Sequence, residues 1–181
     1  GAHSYQVRQT DAAGNQSEAS TAVSYTLDTT GPQLVTSINV NENSTTVGSV
    51  LASAETQQVT YSISGGADQS LFTIDSNGDL SFVNGEDYEN PDDANRDNGY
   101  EVQVTATDTA GNEAAETITV NVQNVNEAPV VDGSISDQHS IVNQAITAIN
   151  VSTVFSDPES DTLTYSASNL PAGLSINSET G

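Results

Sequence analysis

The chemistry on offer in this chain is carboxylate chemistry. Its densest stretch is "DYENPDDANRDNGYEVQV", residues 87–104, where Asp87, Glu89, Asp92, Asp93, Asp97 and Glu101 stand close together. Within it Asp93, Asn95 and Asp97 alternate as oxygen donors do in a calcium loop, although the spacing is not that of a complete EF-hand. The whole chain carries 25 Asp and Glu against 2 Lys and Arg, a formal charge of -23, so almost no basic side chain can pair with the acids. A compact body with that much like charge repels itself, and a bound cation relieves the repulsion directly. A divalent metal held by oxygen is the chemistry this composition favours.

Other chemistries are disfavoured by the same counts. Nucleic acid and acidic membranes are repelled by the net charge. Without Cys there are no disulfides, thiolate metal sites or cysteine nucleophiles. His3 and His139 are isolated, with no second His or Cys to complete a transition-metal set. Arg8 and Arg96 are too far apart in sequence to form a patch and are expected to serve as local ion-pair partners. No "GxSxG" is present, and catalysis by paired carboxylates needs a cleft that raises one pKa. These carboxylates gather instead at seams between strands, so no enzyme activity is expected. No apolar run approaches the roughly 20 residues of a membrane span, and "GAHSYQVRQT" lacks the features of a signal peptide, so the piece reads as internal to something longer.

The elements that must position the acids read as strands almost throughout. "SYQVRQT", "AVSYTLD", "QLVTSINV", "VTYSISG", "YEVQVTATD" and "ETITVNV" alternate with period two between Gly, Asn, Asp or Pro, and no stretch carries a helical stripe. Short strands at intervals near ten residues predict β-sandwiches. In "DSNGD" the pair Asn77-Gly78 suits a type I′ hairpin, and a turn accounts for every residue there better than a metal site does. "TDAAGN" at 10–15 recurs as "TDTAGN" at 107–112, and "VTYSIS" at 59–64 recurs as "LTYSAS" at 163–168, which predicts similar units in tandem. Proline marks the seams in "LDTTGPQ" at 27–33 and "NVNEAPV" at 124–130. Only 32–128 then has the length of a complete sandwich. Residues 1–31 read as the last strands of one domain and 129–181 as the opening of another.

The middle unit resembles a bacterial cadherin repeat. "NENS" at 41–44 stands where that family has its first-strand Glu motif and "DYE" at 87–89 where it has Asp-Arg-Glu. "NVNEAP" resembles its Asp-X-Asn-Asp-X-Ala-Pro linker, and "TDTAGN" its late Asp-X-X-Gly motif. Residues 1–31, ending in "DTTGP", resemble the close of a bacterial immunoglobulin-like repeat. Residues 129–181, with "FSDPESDTLTYSASNLPAGLSI", resemble the opening of a dystroglycan-type cadherin-like domain. The resemblance implies an all-β fold of tandem Greek-key sandwiches in an elongated array, with calcium between consecutive domains.

Carried over residue by residue, it implies a lower junction drawing on Glu42, Asp87, Glu89, Asn124, Asn126 and Glu127 of the complete repeat and Asp157, Glu159 and Asp161 of the next, with Asp93, Asn95 and Asp97 from the acidic insert. Asn124 and Glu127 depart from the linker pattern, where Asp is usual. An upper junction would use Asp28, Glu55 and Asp108 and bind more weakly, because the expected Asp-X-Asp is absent from "ASAETQQVTYS". Taken alone, "NPDDANRDNG" also fits a solvated loop; the motifs beside it favour metal.

The expected function follows from that resemblance: a calcium-stiffened extender of a large secreted or cell-surface bacterial protein, similar to biofilm or repeats-in-toxin adhesins, with the neighbouring domains of the chain as its partners. The alternative is a calcium-dependent carbohydrate-binding module of a polysaccharide-degrading or biofilm protein. Sugar platforms usually expose aromatics, and this chain has six Tyr, three Phe and no Trp, mostly at core-like positions. Homotypic adhesion through a Trp-anchored swapped strand is disfavoured by the lack of Trp, while other self-association stays open.

Overall fold

The computed structural model describes residues 2–52 and 58–181. Regular structure among them is strand, apart from single turns of 3-10 helix at Gln69–Leu71 and Ser152–Val154. No helix among the described residues is long and apolar enough to cross a membrane. The chain packs as two compact units, Gly1–Glu86 with Pro91–Gln123, and Asp87–Asn90 with Asn124–Gly181.

The first unit begins with β1 (Ala2–Tyr5) and β2 (Val23–Thr26), an antiparallel pair whose residues are all exposed. His3 lies opposite Tyr25 and the rings stack with centroids 5.3 Å apart, so this histidine is a cross-strand packing partner. Seven further strands make a sandwich: β3 (Ser37–Asn41), β4 (Thr46–Ser49), β5 (Val59–Gly65), β6 (Phe72–Ile74), β7 (Asp79–Phe82), β8 (Gly99–Asp108) and β9 (Glu113–Gln123). One sheet has the order β3-β9-β8-β5 and the other β4-β7-β6. β3 runs parallel to β9, and the remaining pairs are antiparallel.

Period two explains the core. On β8, Tyr100, Val102, Val104 and Ala106 point inward with no exposure, and on β9 Ile118, Val120 and Val122 are buried likewise, while the Thr, Gln and Glu between them face outward. The opposite sheet contributes Val47, Phe72, Leu80 and Phe82. Phe82 stacks on Phe72 at 4.6 Å and meets Tyr100 edge-on at 5.1 Å. Each such side chain contributes about 1.5–3 kcal/mol on burial, which lets a domain without disulfides hold an acidic surface.

The β6–β7 turn differs from the type I′ expectation. Gly78 has φ +82, but Asn77 is not among the residues with positive φ, and the Gly78 N–H donates to the Asp75 carbonyl at 3.2 Å. The loop is therefore a type I turn followed by a left-handed glycine, stabilised by the Asp75 carboxylate rather than by a left-handed Asn.

The second unit has one short antiparallel pair, β10 (Val130–Val131) with β11 (Phe155–Ser156). The recurring "LTYSAS" is not in a strand here; its Tyr165 N–H donates to the Ser178 carbonyl at 2.9 Å. Pro129, Val131, Val151, Phe155, Leu163 and Tyr165 line an open apolar concavity of about 390 Å³.

Candidate metal centre

In the second unit three loops bring acids together. Glu89 and Glu127 present carboxylate oxygens within 4.8 Å of each other. The Asn124 side-chain amide donates to Glu89 Oε1 at 2.6 Å, and the Glu127 main-chain N–H donates to Glu159 Oε1 at 3.2 Å. Asp87 shapes its own loop by accepting the N–H groups of Glu89 and Asn90 at 3.0 and 3.2 Å. Asp157 does the same for the next turn, accepting the Asp161 N–H at 3.0 Å, and Ser160 takes a left-handed φ of +62 to close it. Asn126 donates to the Glu127 carbonyl at 3.1 Å.

One atom in this group marks an unmet demand. Glu159 Oε2 is buried and has no hydrogen-bond partner among the described residues. A buried acceptor left in that state costs about 1–3 kcal/mol, more when charged. An all-oxygen set of carboxylates and amides suits a hard cation such as calcium and gives nothing to a thiophilic metal. The Asn124 amide can present either its nitrogen to Glu89 or, turned over, its oxygen to a cation. The donor set therefore fits calcium.

In the first unit Glu42 follows β3 and is buried at 5 % exposure, with its N–H on the Gln123 carbonyl at 3.0 Å. The acidic insert is ordered by buried acids. Asp93, 3 % exposed, accepts the Asp97 N–H at 3.0 Å through Oδ2 and the Asn98 N–H at 3.3 Å through Oδ1. Asp97 accepts the Asn95 amide at 3.0 Å and the Gly99 N–H at 2.9 Å, and both residues stay exposed. Arg96, also in the insert, takes φ +60 and donates its main-chain N–H to the Asp93 carbonyl, while Arg8 donates to the Ser17 carbonyl at 3.0 Å.

Two acids that sequence reasoning passed over belong here. Asp68, 5 % exposed, accepts the Ala94 and Glu101 N–H groups, each at 2.8 Å. Glu86, 6 % exposed, takes a hydrogen bond from the Tyr100 hydroxyl, and burial pushes its carboxyl above the ordinary range. Burial likewise raises the Tyr100 hydroxyl, which remains a neutral donor. The signal for Asp68 was present in "GGAD": paired glycines that break a strand pattern, followed at once by an acid.

Of the upper group, Glu55 lies outside the described residues. Asp28 Oδ1 accepts the N–H and hydroxyl of Thr30 at 3.1 and 2.9 Å, and its carbonyl accepts the Asn112 amide at 3.4 Å. Asp108 clasps the β8–β9 turn: Oδ1 takes the N–H groups of Ala110 and Asn112, each at 2.9 Å, and Oδ2 the Asn112 amide at 2.8 Å. Asp11 holds Ala13 and Asn15 in the same way, which is the physical content of the repeated "TDAAGN" and "TDTAGN". These contacts, the Asn side chains foremost, keep both carboxyls below the usual carboxylate range.

Residues 34–123 match the family model of the cadherin domain. This stretch is cadherin-like. Residues 128–181 match the model named "Putative Ig domain" (He_PIG). The linker acids and amides at 124–127 fall between the two matched stretches. Similar solved structures include the third cadherin domain of human protocadherin 7, at 22% identity and TM-score 0.39, covering 52% of this chain and 85% of that one. Another is protocadherin gamma B2 domains 3-6, at 22% and 0.40, where the match covers 56% of this chain and only 24% of that one. Human protocadherin-24 EC1-2 stands at 17% and 0.46, with 74% and 62% covered. No curated protein matches the chain in sequence.

Proposed function

We propose that this chain is a calcium-rigidified extender segment of a large secreted or cell-surface bacterial adhesin of the repeats-in-toxin or biofilm kind. In this reading 1–31 closes an Ig-like domain, 32–128 is the cadherin-like repeat, and 129–181 opens the next, dystroglycan-type domain. The carrying observation is the state of the acids around the linker: Glu89 and Glu127 within 4.8 Å of one another, and a buried Glu159 oxygen without a partner among the described residues. Carboxylates so arranged repel one another, and a cation beside them relieves that repulsion directly.

Calcium, when bound, supplies the positive charge that lets these groups converge. The chain's own residues supply the rest. Glu42, Asp87, Glu89, Glu127, Asp157, Glu159 and Asp161 offer carboxylates, Asn124 and Asn126 offer amide oxygens, and the insert offers Asn95 and Asp97. Asp28, Glu55 and Asp108 form a weaker set. Because the ligands are drawn from segments flanking one linker, occupancy restricts the joint as well as each loop. Extracellular modules bind calcium at about 0.1–1 mM, so such a joint stiffens outside the cell and stays pliable inside it.

Thermal melts in calcium, magnesium and chelator test the reading, followed by small-angle scattering of variants. Calcium should raise the melting point by several degrees and magnesium by much less, since magnesium demands octahedral geometry and sheds water reluctantly. Glu89→Ala and Glu127→Ala should broaden the distance distribution in calcium. Asp79→Ala, in the β6–β7 turn, should not. Identical melts in calcium and chelator would end the calcium reading, and three variants indistinguishable from the parent would end the joint reading.

A further inference from the structure

Asp68 belongs to none of the metal motifs, yet it fastens the acidic insert. Its Oδ1 accepts the Ala94 N–H and its Oδ2 the Glu101 N–H, each at 2.8 Å, while its own N–H donates to the Glu101 carbonyl at 3.0 Å. One side chain thus ties the middle of the insert to the first residues of β8. The route that brings it there is local. A register shift between Ile63 and Gly65 bulges β5 just before its last pair, Gly65 with Gln103, and Gly66 then turns at φ +105 where a Cβ would lie 2.4 Å from the Glu101 oxygen. Only glycine allows β5 to approach β8 closely enough for Asp68 to reach across.

Other groups continue the fastening. Asp93 holds the Asp97 and Asn98 N–H groups, and the Tyr100 hydroxyl accepts the Asp92 N–H at 3.3 Å. The insert has no strand to satisfy its amides, and buried side chains do so instead. Of these, Tyr100 stands on β8 and Asp68 is tied to Glu101 of the same strand, so the sandwich helps dictate the loop's shape.

We infer that Asp68 is a positioning residue that, with Asp93, holds the insert 91–98 in its binding shape before any ion arrives. Asn95 and Asp97 are then presented ready-made, with Asp93 acting as an internal brace rather than a ligand. The inference rests on the calcium reading above and specifies how the affinity of that site is set. A site that is already shaped loses no affinity to ordering its loop, whereas a site that is competent in a tenth of the molecules binds about tenfold more weakly.

The test combines amide hydrogen exchange in chelator with calorimetric titration of calcium chloride into the whole chain, for the parent, Asp68→Asn and Asp68→Ala. In the parent, the N–H groups of Ala94, Asp97, Asn98 and Glu101 should be protected in chelator. Asp68→Ala should lose protection at Ala94 and Glu101 and bind calcium on the order of tenfold more weakly at unchanged stoichiometry. Asp68→Asn, which keeps one acceptor, should fall between. A purely structural role would lower the melting point in chelator and leave the calcium affinity where it was, which would overturn the inference. So would protection of these amides in the parent that appears only with calcium, a result that stands even if Asp68→Ala fails to fold. Absence of calcium binding by the parent, with protection in chelator intact, would instead overturn the calcium reading and the positioning role that depends on it.

Discussion

Replacing Glu159 with Gln should stabilise the unit Asp87–Asn90 with Asn124–Gly181 in chelator and destabilise it in calcium. Glu159 Oε1 accepts the Glu127 N–H at 3.2 Å, and Gln retains that acceptor. The change falls on Oε2, which is buried and without a partner among the described residues. Leaving a buried acceptor unsatisfied costs about 1–3 kcal/mol, and the charged form costs more than a neutral amide. The amide nitrogen that replaces Oε2 is also unpartnered, so the relief is partial, on the order of 1 kcal/mol. In a unit of this size that shifts the melting point upward by roughly 4–8 °C. With calcium at a hundred times its dissociation constant, a site contributes about 2.7 kcal/mol. Removing one of its carboxylates takes part of that away, and the variant should then melt below the parent. Differential scanning calorimetry with and without chelator reads both signs. A variant that melts lower in both conditions would show that the carboxylate serves the fold and not an ion. One that melts higher in both would show that no cation sits at Oε2.

Asp75 should give the β6–β7 turn an acid-sensitive share of its stability. The Asp79 N–H first, then the Asn77 N–H and side-chain amide, hold its carboxyl below the ordinary range. With the folded value below the unfolded one, its contribution is present above the usual aspartate value and is lost as pH falls through the folded value. Urea melts of the parent and Asp75→Asn should therefore converge as the pH drops into that window, and a gap that stays constant would contradict the assignment. Gly66→Ala should destabilise the sandwich by about 2–3 kcal/mol or more, because its Cβ would meet main-chain atoms at 2.4 and 2.5 Å in addition to the strain of φ +105. Gly111→Ala, with φ +86 and open space around it, should cost only about 1 kcal/mol. Equal urea midpoints for these two variants would refute the claim that close approach, and not backbone angle alone, fixes glycine at 66.

Local rules carry a long way in this chain. The alternation of "YEVQVTATD" and "ETITVNV" determines both the strands β8 and β9 and which of their residues face inward, because side chains on a strand repeat every second residue whatever lies beside it. The recurrence of "TDAAGN" as "TDTAGN" likewise determines a turn, since Asp11 and Asp108 find their partners within four residues. The types of the candidate ligands follow from composition alone. Short β4, "TVGS" with a glycine inside it, carries too little pattern to be read, and the Asp75 turn type depends on a carboxylate that competes with the left-handed form of Asn77. Tertiary structure decided the rest. That β3 pairs in parallel with β9, more than seventy residues away, follows from how two sheets close over a core. That Asp68, 33 residues before Glu101, loses its water and binds the insert depends on a bulge that only the folded sheet makes meaningful. Of 25 acids, the sequence could say that they repel, but which of them come within 4.8 Å of one another, and which oxygen is buried without a partner among the described residues, is fixed only when the loops pack, because the charge of a carboxylate is local and its desolvation is not.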